Sequence, residues 1–248
     1  MATSRLGRVY RHRPSHFDPR DKLHARWQST PITTVKSVDL RATAGPVVDQ
    51  GNMGCCTGCA LSAAAYQVFE LQQHIPLSSL FPYWCERVIE GSTRSDAGAS
   101  LRDGCKVLQT KGICTEVLWP MKKGWRTAPK AQAYNDATKR RIKAYHAVYG
   151  LHQLQATLAA GELVILGITV WESFEDDNVA TTGIVPMPDV NNEGILGGHA
   201  MCAVGFDMSK QWIVVKNSWS DQWGDKGYCY LPFGYVTLDQ DMEMWACN

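Results

Sequence analysis

The sequence predicts an α+β fold in which two subdomains pack together and leave a cleft between them. Apolar residues between Leu61 and Phe69 recur at the spacing of a helix that starts near Cys56. The second half instead carries short apolar runs, β-branched or aromatic, separated by Gly or Pro, which is typical of strands. With 248 residues, 45% of them hydrophobic, the chain is long enough to build two subdomains.

The remaining elements follow from the same signals. The first helix is expected to end before Pro76. A second helix is predicted from Leu101 to Lys111, with Ser100 as its N-cap and Gly112 as its stop. A third is predicted from Leu151 to Gly161. Four strands are predicted after it: Leu163–Val170, Ala200–Phe206, Trp212–Lys216 and Tyr228–Leu231.

Residues 1–38 are polar, basic and interrupted by three prolines, which predicts an extended segment, called the arm below. Residues 1–27 hold seven basic and two acidic residues, a net charge of +5. Because the whole chain carries only +1, the remainder carries −4. Opposite charges on the arm and the body predict that the two attract each other, although salt screens such attraction.

The bulk properties argue against several classes of partner and location. A net charge of +1 gives no reason to expect a nucleic acid or a membrane surface. No stretch approaches the roughly 20 apolar residues of a membrane span. Residues 1–10 lack the apolar core of a secretory signal, and the nine cysteines are an odd number. We therefore expect an intracellular, cytoplasmic protein with reduced thiols.

One cysteine stands where a helix begins. The run from Gln50 to Cys56 is rich in glycine and ends at the predicted N-terminus of the first helix. Unpaired backbone N–H groups and the positive end of the helix dipole favour a thiolate there, which is the nucleophilic form. A buried cysteine that acts only as a small apolar side chain is the alternative for Cys56 taken alone.

The second half supplies partners for that thiol. His199 opens one predicted strand and Asn217 closes the next, so that a histidine follows Cys56 by 143 residues and an asparagine comes after it. This order of Cys, His and Asn is typical of papain-type nucleophilic sites. His199 would take the thiol proton, and Asn217 would hold the imidazole in the required tautomer.

Three blocks of sequence resemble the signatures of the papain-like cysteine peptidases. They are Gln50 to Cys56, Gly198-His199-Ala200, and the run Lys216-Asn217-Ser218-Trp219 continuing to Trp223-Gly224 and Gly227-Tyr228. The chain is most similar to the branch with a short prosegment that is common in bacteria, archaea and viruses. The resemblance implies a helical left subdomain, a β-barrel-like right subdomain and an active-site cleft between them.

The same resemblance implies an endopeptidase that forms a thioester on Cys56. His199 would be its general base and acid, Asn217 would orient His199, and Gln50 would donate to the oxyanion. Trp219 would cover the His199–Asn217 hydrogen bond. Two further residues are implied to bind substrate: Trp223 on the leaving-group side, and Gly98 through its backbone.

The resemblance also divides the chain. Residues 1–38 would be a short propeptide that inhibits a zymogen, and residues 39–248 the catalytic domain. The enzyme would act on peptides or proteins as a monomer, with no metal, cofactor, nucleic acid or membrane. The sequence departs from the family at Met53, where a cysteine is usual, at Thr57, where a tryptophan is common, and at Gly198, which replaces an acidic residue or Asn.

Alternative functions arise from the same cysteines. Cys56-Thr57-Gly58-Cys59 is a Cys-x-x-Cys pattern, as in thiol–disulfide oxidoreductases, but no thioredoxin-like strand–helix pattern surrounds it. A zinc site at Cys55, Cys56 and Cys59 lacks an evident fourth ligand. A catalytically silent papain-like binding protein is disfavoured because all four catalytic positions carry competent residues.

Overall fold

The structure is a computed structural model that describes residues 4–5, 7–16, 18–23, 35–71, 73–239 and 241–248. The arm predicted over residues 1–38 lies partly outside these ranges, at residues 1–3, 6, 17 and 24–34.

Helices gather in the first half and strands in the second, as the sequence predicts. Seven α-helices lie within the described ranges: α1 Cys56–Phe69, α2 Leu80–Ile89, α3 Leu101–Thr110, α4 Ala131–Ala137, α5 Gly150–Ala159, α6 Asp177–Thr182 and α7 Phe233–Leu238. The strands in the same ranges are β1 Ser37–Asp39, β2 Tyr145–Ala147, β3 Val164–Trp171, β4 Ile195–Asp207, β5 Trp212–Lys216, β6 Tyr228–Pro232 and β7 Glu243–Cys247.

All pairings among these strands are antiparallel, in the order β2-β7-β3-β4-β5-β6. The long strand β4 is central: its first part pairs with β3, and its last three residues pair with β1. His199 lies opposite Ile168 of β3, and Asn217 directly follows β5, the next strand of the sheet. Neighbouring strands thus carry the two residues close together.

The apolar core is divided between the two halves of the molecule. One buried cluster fills the sheet half, around Leu166, Met201 and Phe206. Another lies between α1, α3 and the sheet. Gly58 of α1 sits so close to the start of α2 that a Cβ atom there would lie 2.1 Å from the Ser79 carbonyl oxygen. This contact between the helices fixes the position of α1, which begins with Cys56.

Candidate active site

Cys56 occupies the first position of α1, as predicted, and its side chain is completely buried. Its sulfur lies within reach of the backbone N–H of Ala200, the residue after His199 on β4. The start of the helix and the middle of the sheet therefore meet at this thiol. Burial raises the pKa of Cys56 to about 12, although the Ala200 N–H acts in the opposite direction.

His199 and Asn217 form the hydrogen bond that the sequence predicts. The Nε2–H of His199 donates to Asn217 Oδ1 over 2.8 Å, and the same oxygen accepts the backbone N–H of Ser218 over 2.8 Å. Because Oδ1 is an acceptor, the proton belongs on Nε2. His199 Nδ1 is buried and has no hydrogen-bond partner within the described part of the chain. Its lone pair is consequently free to accept a proton.

Trp219 lies over the imidazole. The two ring centroids are 5.0 Å apart and the planes are inclined by 27°, so the indole covers His199 on one side. Trp223 meets Trp219 edge-on at 4.9 Å and stacks on Phe174 at 6.0 Å. These buried rings keep water away from the His199–Asn217 pair, where a hydrogen bond is stronger than in solvent.

Gln50 is held in place from two sides. Its Oε1 accepts the Ser218 hydroxyl over 2.5 Å, and its Nε2 donates to the Met53 carbonyl over 2.8 Å. Its backbone N–H also donates to the Ser218 carbonyl. The Gln50 amide is therefore oriented by the residue after Asn217, and one of its two N–H bonds is left for a further acceptor.

Lys216 stabilises the loop that leads to Gln50 through hydrogen bonds that the sequence did not predict. Its buried Nζ donates to the carbonyl oxygens of three consecutive residues, Ala44, Gly45 and Pro46. Burial lowers the pKa of Lys216 to about 8. The residue before Asn217 thus ties the end of β5 to the segment that carries Gln50.

The described part of the arm crosses this site. The ring of Tyr10 lies edge-on to His199, with centroids 5.9 Å apart. The backbone N–H of His12 donates to the Gly198 carbonyl over 2.9 Å, and that of Arg13 to Ala99 over 3.1 Å. At Gly98, whose φ is +72°, a Cβ would lie 1.7 Å from the carbonyl oxygen of Arg11. The arm therefore covers the wall of the cleft on which Gly98 lies.

Carboxylates of the body receive the charges of the arm. Within the described ranges, three arginines of the arm pair with carboxylates of the body: Arg5 with Asp176 at 3.1 Å, Arg11 with Asp96 at 3.4 Å, and Arg13 with Glu90. His12 Nε2 also lies 3.5 Å from the Glu243 carboxylate. Through these contacts the positively charged arm binds the negatively charged body.

Glu175 is a buried carboxylate that holds the first residues of the arm. It accepts the Ser4 hydroxyl over 2.5 Å, the Arg5 backbone N–H over 2.6 Å and the Tyr10 hydroxyl over 2.7 Å. Three donors on one carboxylate fix the position of Tyr10 beside His199.

The charge state of Cys56 and His199 differs from the thiolate that the sequence predicts at Cys56. Burial lowers the pKa of His199 to about 4, although the hydrogen bond to Asn217 favours the charged ring, and His12 and Arg8 lower this pKa further. With the Cys56 pKa near 12, both groups are neutral around pH 7. Burial raises the pKa of Cys56 by more than the helix terminus lowers it. The extent of this burial could not be read from the pattern of the sequence alone.

The other cysteines bear on the alternative functions. All nine thiols are free and buried. In the Cys-x-x-Cys segment, Cys59 hydrogen-bonds with Cys55 rather than with Cys56. Within the described ranges, no group of three or more His, Cys, Asp or Glu side chains is placed to hold a metal ion. In those ranges, too, no helix has the length and apolar character to cross a membrane.

The sequence did not identify two residues that hold the arm in place. Glu175 and Glu243 bind the arm, but each is a single acidic residue outside any motif. Glu175 ends the short 3₁₀ helix Glu172–Glu175, and only its contacts with Ser4, Arg5 and Tyr10 single it out. Glu243 carried no signal, because only its contacts with His12 and Ser15 single it out.

Comparison with known proteins places the chain in a family. Residues 34–242 match the model of the papain family cysteine proteases. An uncharacterized peptidase C1-like protein of Acanthamoeba polyphaga mimivirus is 37% identical over 206 residues, covering 76% of this chain and 65% of that protein. Peptidase 1 of Psoroptes ovis is 28% identical over 221 residues, covering 85% of the chain and 63% of its own length. The chain thus spans a little under two thirds of these relatives.

Comparison with solved structures points to the same family. Xylellain, a cysteine protease from Xylella fastidiosa, superposes with a TM-score of 0.85 at 30% identity, covering 96% of this chain and 95% of its own. Digestive procathepsin L 3 of Tenebrio molitor superposes with a TM-score of 0.75 at 18% identity, covering 98% and 77%, and shares the fold. The viral and bacterial relatives confirm the branch that the motifs indicated. The chain belongs to the papain family of cysteine proteases.

Proposed function

We propose that this chain is a cysteine endopeptidase with Cys56 as nucleophile, His199 as base, Asn217 as the residue that orients His199, and Gln50 in the oxyanion hole. One observation carries the proposal. The His199–Asn217 hydrogen bond of 2.8 Å occupies Nε2 and leaves Nδ1 as a buried acceptor without a partner among the described residues. The sulfur of Cys56 lies within reach of the backbone N–H of Ala200, which follows His199 on β4.

In the first half of the reaction, the Cys56 proton passes to His199 Nδ1. The thiolate then attacks the carbonyl carbon of the scissile bond. The developing oxyanion accepts hydrogen bonds from the Gln50 amide and the backbone N–H of Cys56, and one such donor contributes about 3–4 kcal/mol. When the tetrahedral intermediate collapses, imidazolium gives its proton to the leaving amine, the C–N bond breaks and a thioester remains on Cys56.

In the second half, His199 takes a proton from water, and the hydroxide attacks the thioester carbon. The C–S bond breaks and the carboxylic acid leaves. The imidazolium of His199 then returns its proton to the sulfur, which restores the Cys56 thiol and the neutral imidazole. Asn217 keeps the Nε2 proton in place throughout, so that Nδ1 faces the reacting atoms. An amide suffices because the imidazolium is balanced by the thiolate. In this scheme Trp223 lines the leaving-group side, and Gly98 pairs with the substrate backbone.

We also propose that residues 1–38 are an inhibitory propeptide of a zymogen whose catalytic domain is residues 39–248. Tyr10 of the arm lies edge-on to the His199 ring, and both Cys56 and His199 are completely buried. His12 and Arg8 disfavour a charged His199. The arm therefore opposes activity twice, because it excludes substrate and keeps the pair in its neutral form.

Irreversible labelling of the thiol tests the proposed nucleophile. Full-length chain and a chain lacking residues 1–37 are treated with a peptidyl epoxide or vinyl sulfone, and the modified residue is identified by mass spectrometry. We expect labelling at Cys56, fastest after truncation, together with loss of peptide hydrolysis. Cys56→Ala should abolish both, whereas Cys55→Ser should retain most of both.

Three results would count against the proposal. Activity in Cys56→Ala with none in Cys55→Ser would move the nucleophile to the neighbouring cysteine. A folded truncated chain that neither labels nor hydrolyses peptides would indicate a catalytically silent binding protein. A folded truncated chain no faster than the full-length one would remove the inhibitory role of the arm.

A further inference from the structure

A buried carboxylate that the proposed reaction does not use holds the loop before Cys56. Asp96 lies between α2 and α3 and is 8% exposed. Its Oδ2 accepts the backbone N–H of Gly54 over 2.9 Å, and its Oδ1 accepts the hydroxyl of Tyr83 over 2.5 Å. This one side chain therefore joins the loop of the nucleophile to α2.

The Gly54 N–H belongs to the peptide group that orients Gln50. The carbonyl of Met53 and the N–H of Gly54 lie on opposite sides of one planar unit, since the bond between them is a peptide bond. The carbonyl side accepts Gln50 Nε2 over 2.8 Å, and the N–H side donates to Asp96. Asp96 thus fixes the plane of this peptide group, and the peptide group fixes the direction of the Gln50 amide.

The absence of a side chain at Gly54 makes this arrangement possible. A Cβ atom there would lie 3.1 Å from Asp96 Oδ1 and 3.3 Å from Tyr83 Oη. It would press on both polar groups and draw the carboxylate away from the N–H. Glycine therefore lets the backbone approach Asp96 closely enough to donate to it.

The position of Asp96 is fixed in turn by α2. Tyr83 is completely buried in this helix, and its hydroxyl accepts the Gly98 N–H over 3.2 Å besides donating to Asp96. Arg87, one turn later, donates to the Ser95 carbonyl over 3.1 Å and lies over the Tyr83 ring. The helix therefore holds both the carboxylate and the residue before it, which limits the movement of the whole group.

We propose that Asp96 is a positioning residue for the peptidase reaction: it fixes the Met53–Gly54 peptide group and so aims the Gln50 amide at the oxyanion. This inference rests on the proposed peptidase function. Removal of the carboxylate would leave the Gly54 N–H without this acceptor and free the peptide group to rotate, which carries the Met53 carbonyl away from Gln50. The loss would fall on the steps that place charge on the carbonyl oxygen of the substrate.

The test compares two reactions of Cys56 in the full chain carrying Arg11→Ala. Arg11 lies 3.4 Å from the Asp96 carboxylate, so this change removes a contact through which Asp96 variants could loosen the arm. Peptide hydrolysis, measured as kcat/KM, forms an oxyanion. Alkylation by iodoacetamide, in which the sulfur displaces iodide from a saturated carbon, forms none. Because Cys56 is completely buried, both reactions need an opened cleft, and the ratio of their rates cancels the open fraction.

The variants of Asp96 and Gln50 should change this ratio in a defined pattern. We expect Asp96→Ala to lower it by at least about tenfold, a part of the roughly 10²–10³-fold effect of one oxyanion donor. Asp96→Asn keeps an acceptor oxygen for the Gly54 N–H and should restore the ratio to within about threefold of the parent. In a chain that already carries Gln50→Ala, Asp96→Ala should cost less than about threefold, because the donor that it aims is gone.

Tyr83→Phe is a milder change in the same group of contacts. It removes the hydroxyl that holds Asp96 Oδ1 and should lower the ratio by at least about threefold. Tyr230→Phe is the matched control, because it removes a hydroxyl from the Asp225 carboxylate on the sheet half, and it should leave the ratio unchanged. Alkylation of Cys229 in the same samples reports unfolding, since this thiol is completely buried in β6.

Several results would overturn the proposal. They are an unchanged ratio in Asp96→Ala and Tyr83→Phe, equal losses in Asp96→Ala and Asp96→Asn, and a full tenfold loss from Asp96→Ala in the chain with Gln50→Ala. Equal alkylation of Cys56 and Cys229 in the Asp96 and Tyr83 variants would make these residues supports of folding only. Absence of hydrolysis and of Cys56 labelling in the folded parent would instead contradict the proposed peptidase function.

Discussion

Glu86 is a buried carboxyl group that contacts Thr57, the residue after Cys56. Thr57 Oγ1 donates to its Oε2 over 2.7 Å, whereas Oε1 has no hydrogen-bond partner in the described ranges. Gly104 leaves room for it, since a Cβ there would lie 2.4 Å from Oε1. Burial raises the pKa of Glu86 to about 8. The group is thus protonated in the folded protein at neutral pH.

This pKa makes stability depend on pH. Below about pH 4.5 both the folded and the unfolded chain bind the Glu86 proton, but between about 4.5 and 8 only the folded chain keeps it. The free energy of unfolding should therefore fall as pH rises through this window, by about 1.4 kcal/mol per pH unit from this group. Glu86→Gln should remove that slope. Urea unfolding of both chains at pH 5.5 and pH 8 measures it, with the exposed Asp221→Asn as control.

If wild type and Glu86→Gln lose stability equally over this pH range, Glu86 is not the group that titrates.

His199 and Asn217 should differ in the size of their effects. His199→Ala removes the base and should lower kcat/KM by at least about 10²-fold, which is typical for a lost general base. Asn217→Ala leaves the base but frees its ring, so we expect a smaller loss. Kinetics on a small peptide with each variant of the truncated chain measures the two. A larger effect of Asn217→Ala would assign that residue more than orientation.

The residues nearest the chemistry were predictable because each stands in a local pattern. Gln50 and Cys56 end a glycine-rich run before a helix, and His199 and Asn217 mark strand ends. The structure places these four together. Glu243 was not predictable, because its importance comes from contact with residues more than 220 positions earlier in the chain. No local pattern records such a contact.

At the scale of elements, the sequence predicted α3 and α5 to within one or two residues and the start of α1 at Cys56. The end of α1 was predicted only as lying before Pro76, and the helix ends at Phe69. Periodicity missed α2, in which Pro82 is the third residue and suggested a break; in the first turn a proline lacks only an N–H that would be unpaired in any case. It also missed β7, a strand of five residues whose pairing with β2 and β3 is entirely long-range. Short strands depend on their neighbours more than on their own sequence.

In the proposed zymogen, the stability of the arm controls access to the cleft. Tyr10 joins it to Glu175, and burial together with that carboxylate raises the pKa of the Tyr10 hydroxyl. Tyr10→Phe removes one donor from a buried carboxylate, a change of about 1.5–3 kcal/mol. Peptide hydrolysis and Cys56 labelling by the full chain should therefore speed up, by at least about tenfold when arm release limits the rate.

Tyr230→Phe is the matched control, because the Tyr230 hydroxyl likewise donates to a carboxylate, that of Asp225 on the body. Equal rates for Tyr10→Phe and wild type would mean that the arm is held independently of this contact.

At the scale of the whole molecule, the arm and body attract through opposite net charge. Arg5–Asp176 and Arg11–Asp96 are partly exposed pairs, and such pairs weaken as salt rises. Raising sodium chloride from about 0.05 to 0.5 M, where the Debye length falls from roughly 14 to 4 Å, should increase hydrolysis by the full chain. The chain without residues 1–37 should respond far less. An equal response of both would show that salt acts on the catalytic domain instead.

The position of β7 has a consequence for biosynthesis. This strand, at residues 243–247, lies inside the sheet between β2 and β3, and it carries Glu243 into the wall of the cleft. A ribosome must therefore have released almost all of the catalytic domain before the sheet closes. Tyr10, which lies against His199, is translated more than 200 codons before this strand. In the proposed zymogen, the arm is therefore already synthesised when the cleft forms, and the new chain folds with its cleft covered.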